Sequence, residues 1–284
     1  MGLRIQMTRR LVLSLLVTAA SCLAQENPEW HKPFPAFRIA GNLYYVGTAD
    51  LAAYVIHTLQ GDILINTNFE QDLPLLKKSL AQVGLKYSNI SIILTSHAHS
   101  DHDGAVAEVK RETGASLMIM TDDVAEVESL AKGRPGTHVD RILRDGYKVE
   151  LGGVRVVAHK TPGHTPGCTT WTTVMAENDK NLQVVIVGSP NVNKGYVLVG
   201  NKKYPNIAAD YVKTFEILKS LPCDIFLGAH GEYFNLKAKY SRFKAGDQNA
   251  FVDPNGYKTW VAAKEQEFQT EWARAKAHPG TPKP

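Results

Sequence analysis

The chain has 284 residues, of which 44% are hydrophobic and 21% charged. That is ample for a buried core, and it excludes disorder, collagen and coiled coil as whole-chain descriptions. Without Arg4, Arg9 and Arg10, the remaining 29 basic and 28 acidic side chains nearly cancel, and no Lys/Arg cluster marks a nucleic-acid surface.

Residues 1–24 hold those three arginines and no acid. Arg9-Arg10 is followed by the apolar run Leu11-Val12-Leu13-Ser14-Leu15-Leu16-Val17 and then by small residues. This is the order of a secretory signal peptide, with cleavage expected after Ala24. The run is far shorter than the ~20 residues a membrane span needs, so no stable anchor is expected after cleavage. Residues 25–284 read as one domain. Cys168 and Cys223 would be its only cysteines. They suit either one disulfide or two buried thiols, and lie too far apart for a zinc knuckle.

Three β-rich runs come first: Leu43-Tyr44-Tyr45-Val46, Ala53-Tyr54-Val55-Ile56 and Asp62-Ile63-Leu64-Ile65, the last two joined across Gln60-Gly61. Leu73, Leu76, Leu80 and Val83 form a helical stripe, with Asp72 as N-cap and Gly84 as stop. The apolar run 90–94 reads as a buried strand. Helix 105–113 ends at Gly114, strand 117–120 follows, then helix 122–131. Strands are predicted at 147–151, 154–159, 169–174 and 182–187. A Gly/Pro/Asn-rich loop covers 188–206. Ile207, Tyr211, Phe215 and Leu218 mark a helix, 224–227 a strand, and Tyr257, Val261, Phe268 and Trp272 a terminal helix. This order predicts an α+β sandwich.

The chemistry concentrates in His97-Ala98-His99-Ser100-Asp101-His102. His97 and His99, two apart, can point the same way, whereas Asp101 and His102 point differently. One segment can therefore feed two neighbouring metal centres, and imidazole and carboxylate donors suit zinc. Gly104 follows, where the chain turns before its helix. The segment alone lacks enough ligands for two ions. Thr161-Pro162-Gly163-His164-Thr165-Pro166-Gly167 and Leu227-Gly228-Ala229-His230-Gly231 each place one further histidine in a loop beside a predicted strand. Three protein ligands per ion leave a position open, as a catalytic zinc needs.

The HxHxDH pattern at residues 97–102, followed by His164 and His230 in that order, resembles the metallo-β-lactamase superfamily over roughly residues 41–272. The resemblance implies an αββα sandwich holding two zinc ions, the first on His97, His99 and His164 and the second on Asp101, His102 and His230. Glyoxalase II, lactonase and ribonuclease-like members place a bridging aspartate between the last two histidines; here that strand ends Val187-Gly188-Ser189-Pro190. The metal-binding cysteine of β-lactamase subclasses 1 and 2 is also absent. The pattern resembles class B, subclass 3, as do the stretches Asn193–Ile207 and Leu221-Pro222-Cys223-Asp224. It implies a periplasmic, monomeric enzyme that opens a β-lactam amide with a hydroxide generated at the metals. Asp101 would orient that hydroxide, and Ser189, Asn191 and Asn193 would contact substrate. Some members pair the cysteine equivalent to Cys223 with one near the terminal helix, and no such partner exists here.

Other readings stay open: a secreted zinc hydrolase of the same fold acting on a lactone, thioester or phosphodiester, or a non-enzymatic zinc-binding protein. A serine β-lactamase is disfavoured. Ser129-Leu130-Ala131-Lys132 and Ser241-Arg242-Phe243-Lys244 match S-x-x-K, but no Ser-Asp-Asn or Lys-Thr-Gly follows. His31, His57, His138, His159 and His278 read as structural or solvated, and Trp30 and Phe34 as packing residues of an arm that could reach the site.

Overall fold

Strands buried on both faces read as continuous apolar runs, because alternate side chains enter different cores. Ile63 and Ile65 enter one cluster and Leu64 another; Ile92 and Leu94 part from Ile93, and Met118 and Met120 from Leu117 and Ile119, in the same way. The structure, a computed structural model, describes residues 27–129 and 135–284. The expected signal peptide and residues 130–134, including most of Ser129-Leu130-Ala131-Lys132, lie outside them.

After a 3-10 turn at Pro28–Trp30 come β1 (Phe37–Ala40), β2 (Leu43–Tyr45), β3 (Tyr54–Thr58), β4 (Gly61–Ile65), α1 (Leu73–Gln82), β5 (Ile90–Leu94), α2 (Ser100–Asp103), α3 (Val106–Thr113), β6 (Ser116–Met120), α4 (Val124–Glu128) and β7 (Arg141–Leu143). The second half holds β8 (Lys148–Leu151), β9 (Val154–Lys160), β10 (Thr169–Glu177), β11 (Lys180–Val187), α5 (Ile207–Ser220), β12 (Ile225–Gly228), α6 (Leu236–Lys244) and α7 (Pro254–Ala277). One sheet runs β1-β2-β3-β4-β5-β6-β7 and the other β12-β11-β10-β9-β8. The first is antiparallel up to β4 and parallel from there. In the second, only β11 and β12 are parallel.

The sheets face each other across a core that includes Tyr45, Tyr54, Ile65 and Leu94 from one side and Val156, Trp171, Met175 and Ile186 from the other. Leu76 and Leu80 of α1 and Val106 and Val109 of α3 cover the outer face of the first sheet. On the second sheet, Tyr257 and Trp260 of α7 pack on Phe226 of β12. Phe268 of α7 lies 5.7 Å from Phe215 of α5, ring to ring. The result is the expected αββα sandwich, in a single domain. Glu177 at the end of β10 clamps the two sheets, taking the Arg38 guanidinium at 2.6 Å and the Gly41 amide at 2.6 Å.

Gly84 and Gly114 follow their helices with φ of 76° and 73°, the left-handed stops expected of them. Asp72 stands at the N-cap of α1, but its side chain makes no cap bond and instead meets His31 at 2.9 Å. The helix expected at 122–131 is shorter: a 3-10 turn at Thr121–Asp123, then α4. Cys168 and Cys223 are both free thiols, so the disulfide alternative falls.

Candidate metal centre

The strand ends of both sheets meet at one pole. β5 leaves its sheet at Leu94, and Ser96 is held there from two sides. Its amide donates to Asn66 Oδ1 at 2.8 Å, and its carbonyl accepts the Thr169 amide at 2.8 Å from the opposite sheet. His97 follows directly. His99 ends the extended stretch and starts the α2 turn, where the His102 amide donates to the His99 carbonyl at 2.8 Å. That reversal returns His102 to His97, with ring centres 4.4 Å apart, while His99 sits 4.8 Å from His97.

The loop after β9 delivers His164, 4.5 Å ring to ring from His97 and 4.8 Å from His99. His230 follows β12 and lies 4.9 Å from His102. All six side chains singled out from sequence therefore converge. Ligand atoms of His97, His99 and His164 lie within 4.8 Å of one another, as do those of His97, Asp101 and His102. The second grouping has His97 where the family pattern has His230. His230 reaches that set through Asp101, its Nε2 being 3.6 Å from Asp101 Oδ2, with His102 Nε2 at 3.1 Å from the same oxygen.

Each loop histidine is aimed by its other nitrogen. His164 Nδ1 meets the Asn191 carbonyl at 2.8 Å, and His230 Nδ1 meets Asp50 Oδ2 at 3.0 Å. Such bonds fix ring orientation and tautomer and leave Nε2 as the donor toward a cation. His97 Nδ1 and His102 Nδ1 are buried without a hydrogen-bond partner, and His102 Nε2 has the Asp101 carboxylate beside it. An orphaned buried polar atom costs about 1–3 kcal/mol, so two in one cluster mark a cation position. The residues present fit a divalent metal by donor type, spacing and orientation.

The proton affinities agree. Burial, reinforced by His102 and its other imidazole neighbours, holds His97 well below the usual histidine range. Burial, then the charge of His99, pushes His164 down to about 3. Both stay neutral, with a lone pair to offer, at ordinary pH. Burial works to raise Asp101, but His102 and His230 outweigh it and hold the carboxyl below its usual range. Burial likewise opposes the charge on His230, and its bond to Asp50 with the nearby Asp101 charge outweighs that too, leaving its proton affinity raised.

A cleft of about 530 Å³ opens over the centre, bounded among others by Trp30, Phe69, Asp101, Asn191, Asn193 and Tyr233. A neighbouring hollow of about 490 Å³ shares His99 and His164 with it and adds Tyr196, Tyr204 and the acids Asp122 and Glu126. A larger hollow of 850 Å³ on the second sheet, around Gly152 and Arg155, holds none of the six convergent side chains. Asn191 and Asn193 thus stand on the cleft wall. Ser189 is 2% exposed and lies beneath it, its hydroxyl 3.2 Å from the Tyr233 hydroxyl. Trp30 belongs to the site, its ring tilted against His230 at 5.9 Å with its indole N–H donated to Asp50. Phe34 instead packs on Tyr45 and Tyr240. His31, His57, His138 and His159 pair with Asp72, Asp62, Glu128 and Thr172 away from the six. Ser241 lies exposed on α6, its hydroxyl donated to the Lys237 carbonyl.

The chain belongs to the metallo-β-lactamase superfamily, whose family model matches residues 52–230. Among solved structures it is similar to the native FEZ-1 metallo-β-lactamase from Legionella gormanii, at 46% identity, covering 86% of this chain and 98% of that one, with a TM-score of 0.85. It is also similar to the class B3 di-zinc metallo-β-lactamase LRA-12 from an Alaskan soil metagenome, at 31% identity over 86% and 97% of the two chains, with a TM-score of 0.79. Among curated proteins it is 25% identical over 210 residues to a probable hydroxyacylglutathione hydrolase of Schizosaccharomyces pombe, 72% of this chain and 73% of that protein. The chain spans 40% to 73% of the length of the first curated relatives it matches.

Proposed function

We propose that the protein is a zinc-dependent β-lactamase of the subclass 3 kind, exported to the periplasm and acting as a monomer. It would open the β-lactam amide of penicillins, cephalosporins and carbapenems and so confer antibiotic resistance. His97, His99 and His164 would hold the first zinc, and Asp101, His102 and His230 the second. The observation that carries this reading is the convergence of all six side chains, with His164 and His230 each aimed by a bond on the far nitrogen. Zinc in such a site polarises a carbonyl oxygen and lowers the pKa of water to about 7.

The chain's own groups supply the rest. Asp101 is the one carboxylate of the six, and its low proton affinity keeps it an anion that would accept a hydrogen bond from the attacking water and aim it. Asn191 and Asn193 offer amides to the polar edge of a substrate. Trp30 and Phe69 give the cleft an apolar wall that excludes bulk water. A cleft of about 530 Å³ suits a small molecule.

The curated hydroxyacylglutathione hydrolases favour a second reading, thioester hydrolysis. The absence of an acid in Gly188-Ser189-Pro190 weighs against it. The deciding assay offers purified protein a cephalosporin, a carbapenem and a hydroxyacylglutathione thioester, with and without a chelator. Turnover of both drugs, abolished by chelation and restored by zinc, is expected. Thioester cleavage without drug turnover selects the second reading, and drug turnover that survives metal removal refutes the mechanism.

A further inference from the structure

Asp123 is 2% exposed and closes the 3-10 turn after β6. It stands at the N-cap of α4, where an aspartate ordinarily bonds the first helical amides, yet its side chain makes no cap bond. Its oxygens point the other way. Oδ2 accepts the Ala98 amide at 3.0 Å and the Thr165 hydroxyl at 2.7 Å, and Oδ1 accepts the Gly167 amide at 2.7 Å. Ala98 lies between His97 and His99, and Thr165 follows His164. One buried carboxylate thus joins both stretches that supply the three-imidazole set, through backbone and hydroxyl donors. The loop is pressed onto it: a Cβ on Gly167 would lie 2.6 Å from Asp123 Cγ. The neighbouring Asp122 takes no part, being paired with Lys160 at 2.5 Å.

We propose that Asp123 is the positioning residue of the first metal position, holding the His97–His99 arm and the His164 loop at the separation their imidazoles need. It sets affinity there and leaves the Asp101, His102 and His230 set nearly unchanged, because that set is braced separately by Asp50. The proposal rests on the ligand assignment above. An amide cannot replace the carboxylate. Ala98 and Gly167 donate to different oxygens, so Asp123→Asn must turn its own N–H groups toward one of these backbone donors. The Thr165 hydroxyl can rotate, but a peptide N–H cannot.

The test strips the full chain of metal and titrates it with zinc against a chromophoric chelator, and with cobalt(II) followed by its visible absorption. Wild-type protein is expected to take two equivalents. Asp123→Asn is expected to weaken one of them by about 10–100-fold, the usual effect of losing an outer partner, with the other within about threefold. Asp50→Asn is expected to weaken the complementary one. Should Asp123→Asn fail to fold, Thr165→Val removes one of the three bonds at constant shape, with an expected weakening of about 3–10-fold at the same position. Equal weakening of both equivalents, or none, overturns the proposal while the ligand assignment stands. Wild-type protein that takes up no zinc overturns the assignment and the proposal together.

Discussion

His230 Nδ1 lies 3.0 Å from Asp50 Oδ2, the same oxygen that receives the Trp30 indole N–H at 3.1 Å. Asp50 Oδ1 takes the Glu232 amide at 2.9 Å, so one carboxylate fixes the ring, the loop behind it and part of the cleft wall. Asp50→Ala is therefore expected to speed zinc loss from the second position by about 10–100-fold, measured as transfer to a chelator under first-order conditions. An unchanged rate would show that His230 keeps its orientation without this partner.

Trp30 faces the cleft beside Phe69 and His230 and supplies no metal-binding atom. Trp30→Ala should remove contact made equally in the ground state and the transition state. The expected result is KM raised by about tenfold, roughly 1.4 kcal/mol, with kcat within about threefold. Steady-state kinetics on a carbapenem measure it; a fall in kcat at constant KM would assign the ring to the chemical step instead.

Gly163, next to His164, has a φ of 129°, and a Cβ there would lie 2.7 Å from the Tyr211 ring. Gly163→Ala carries both backbone strain and a clash with a buried ring. It is expected to destabilise the metal-free protein by about 2 kcal/mol or more in denaturant titration, and to lower zinc content as the loop shifts. Wild-type stability and zinc content would rule out this constraint.

Glu177 is held below the usual carboxylate range first by its bond from Arg38 and then by the Gly41 amide. Its folded proton affinity is below the unfolded one. The clamp therefore contributes fully above the ordinary value of 4.5 and is lost as pH falls through the lower folded value. Glu177→Gln is expected to cost less than about 1 kcal/mol at pH 7, since the pair is partly exposed, with the difference vanishing in acid. A stability gap that does not shrink at all between pH 7 and pH 3 would assign the effect to packing rather than charge.

Much of this was legible in the chain. α1 and α5 show as apolar stripes because one face of each is buried, and β5 as an uninterrupted run because both of its faces are. The six convergent side chains stand out because five of them are histidines, three sharing one segment with Asp101 and two lying in glycine-containing loops at strand ends. β1 and β7 were not legible: Arg38 interrupts the short apolar run of β1, and β7 exposes two of its three residues. α6 escaped because LKAKYSRFK buries only Leu236 and Lys239. Asp50 and Asp123 carry no motif, since their partners are mostly backbone amides or lie as far as 180 residues away. Only folding identifies them.

The Thr169 amide reaches across to Ser96 beside a centre drawn from both sheets: residues 97–102 leave the seven-stranded one, His164 and His230 the five-stranded one. A fragment carrying either half would own no complete triad of the proposed assignment. Filling both proposed positions then has to wait until the halves dock, and uptake of the second equivalent by two separately produced fragments would report their reassembly.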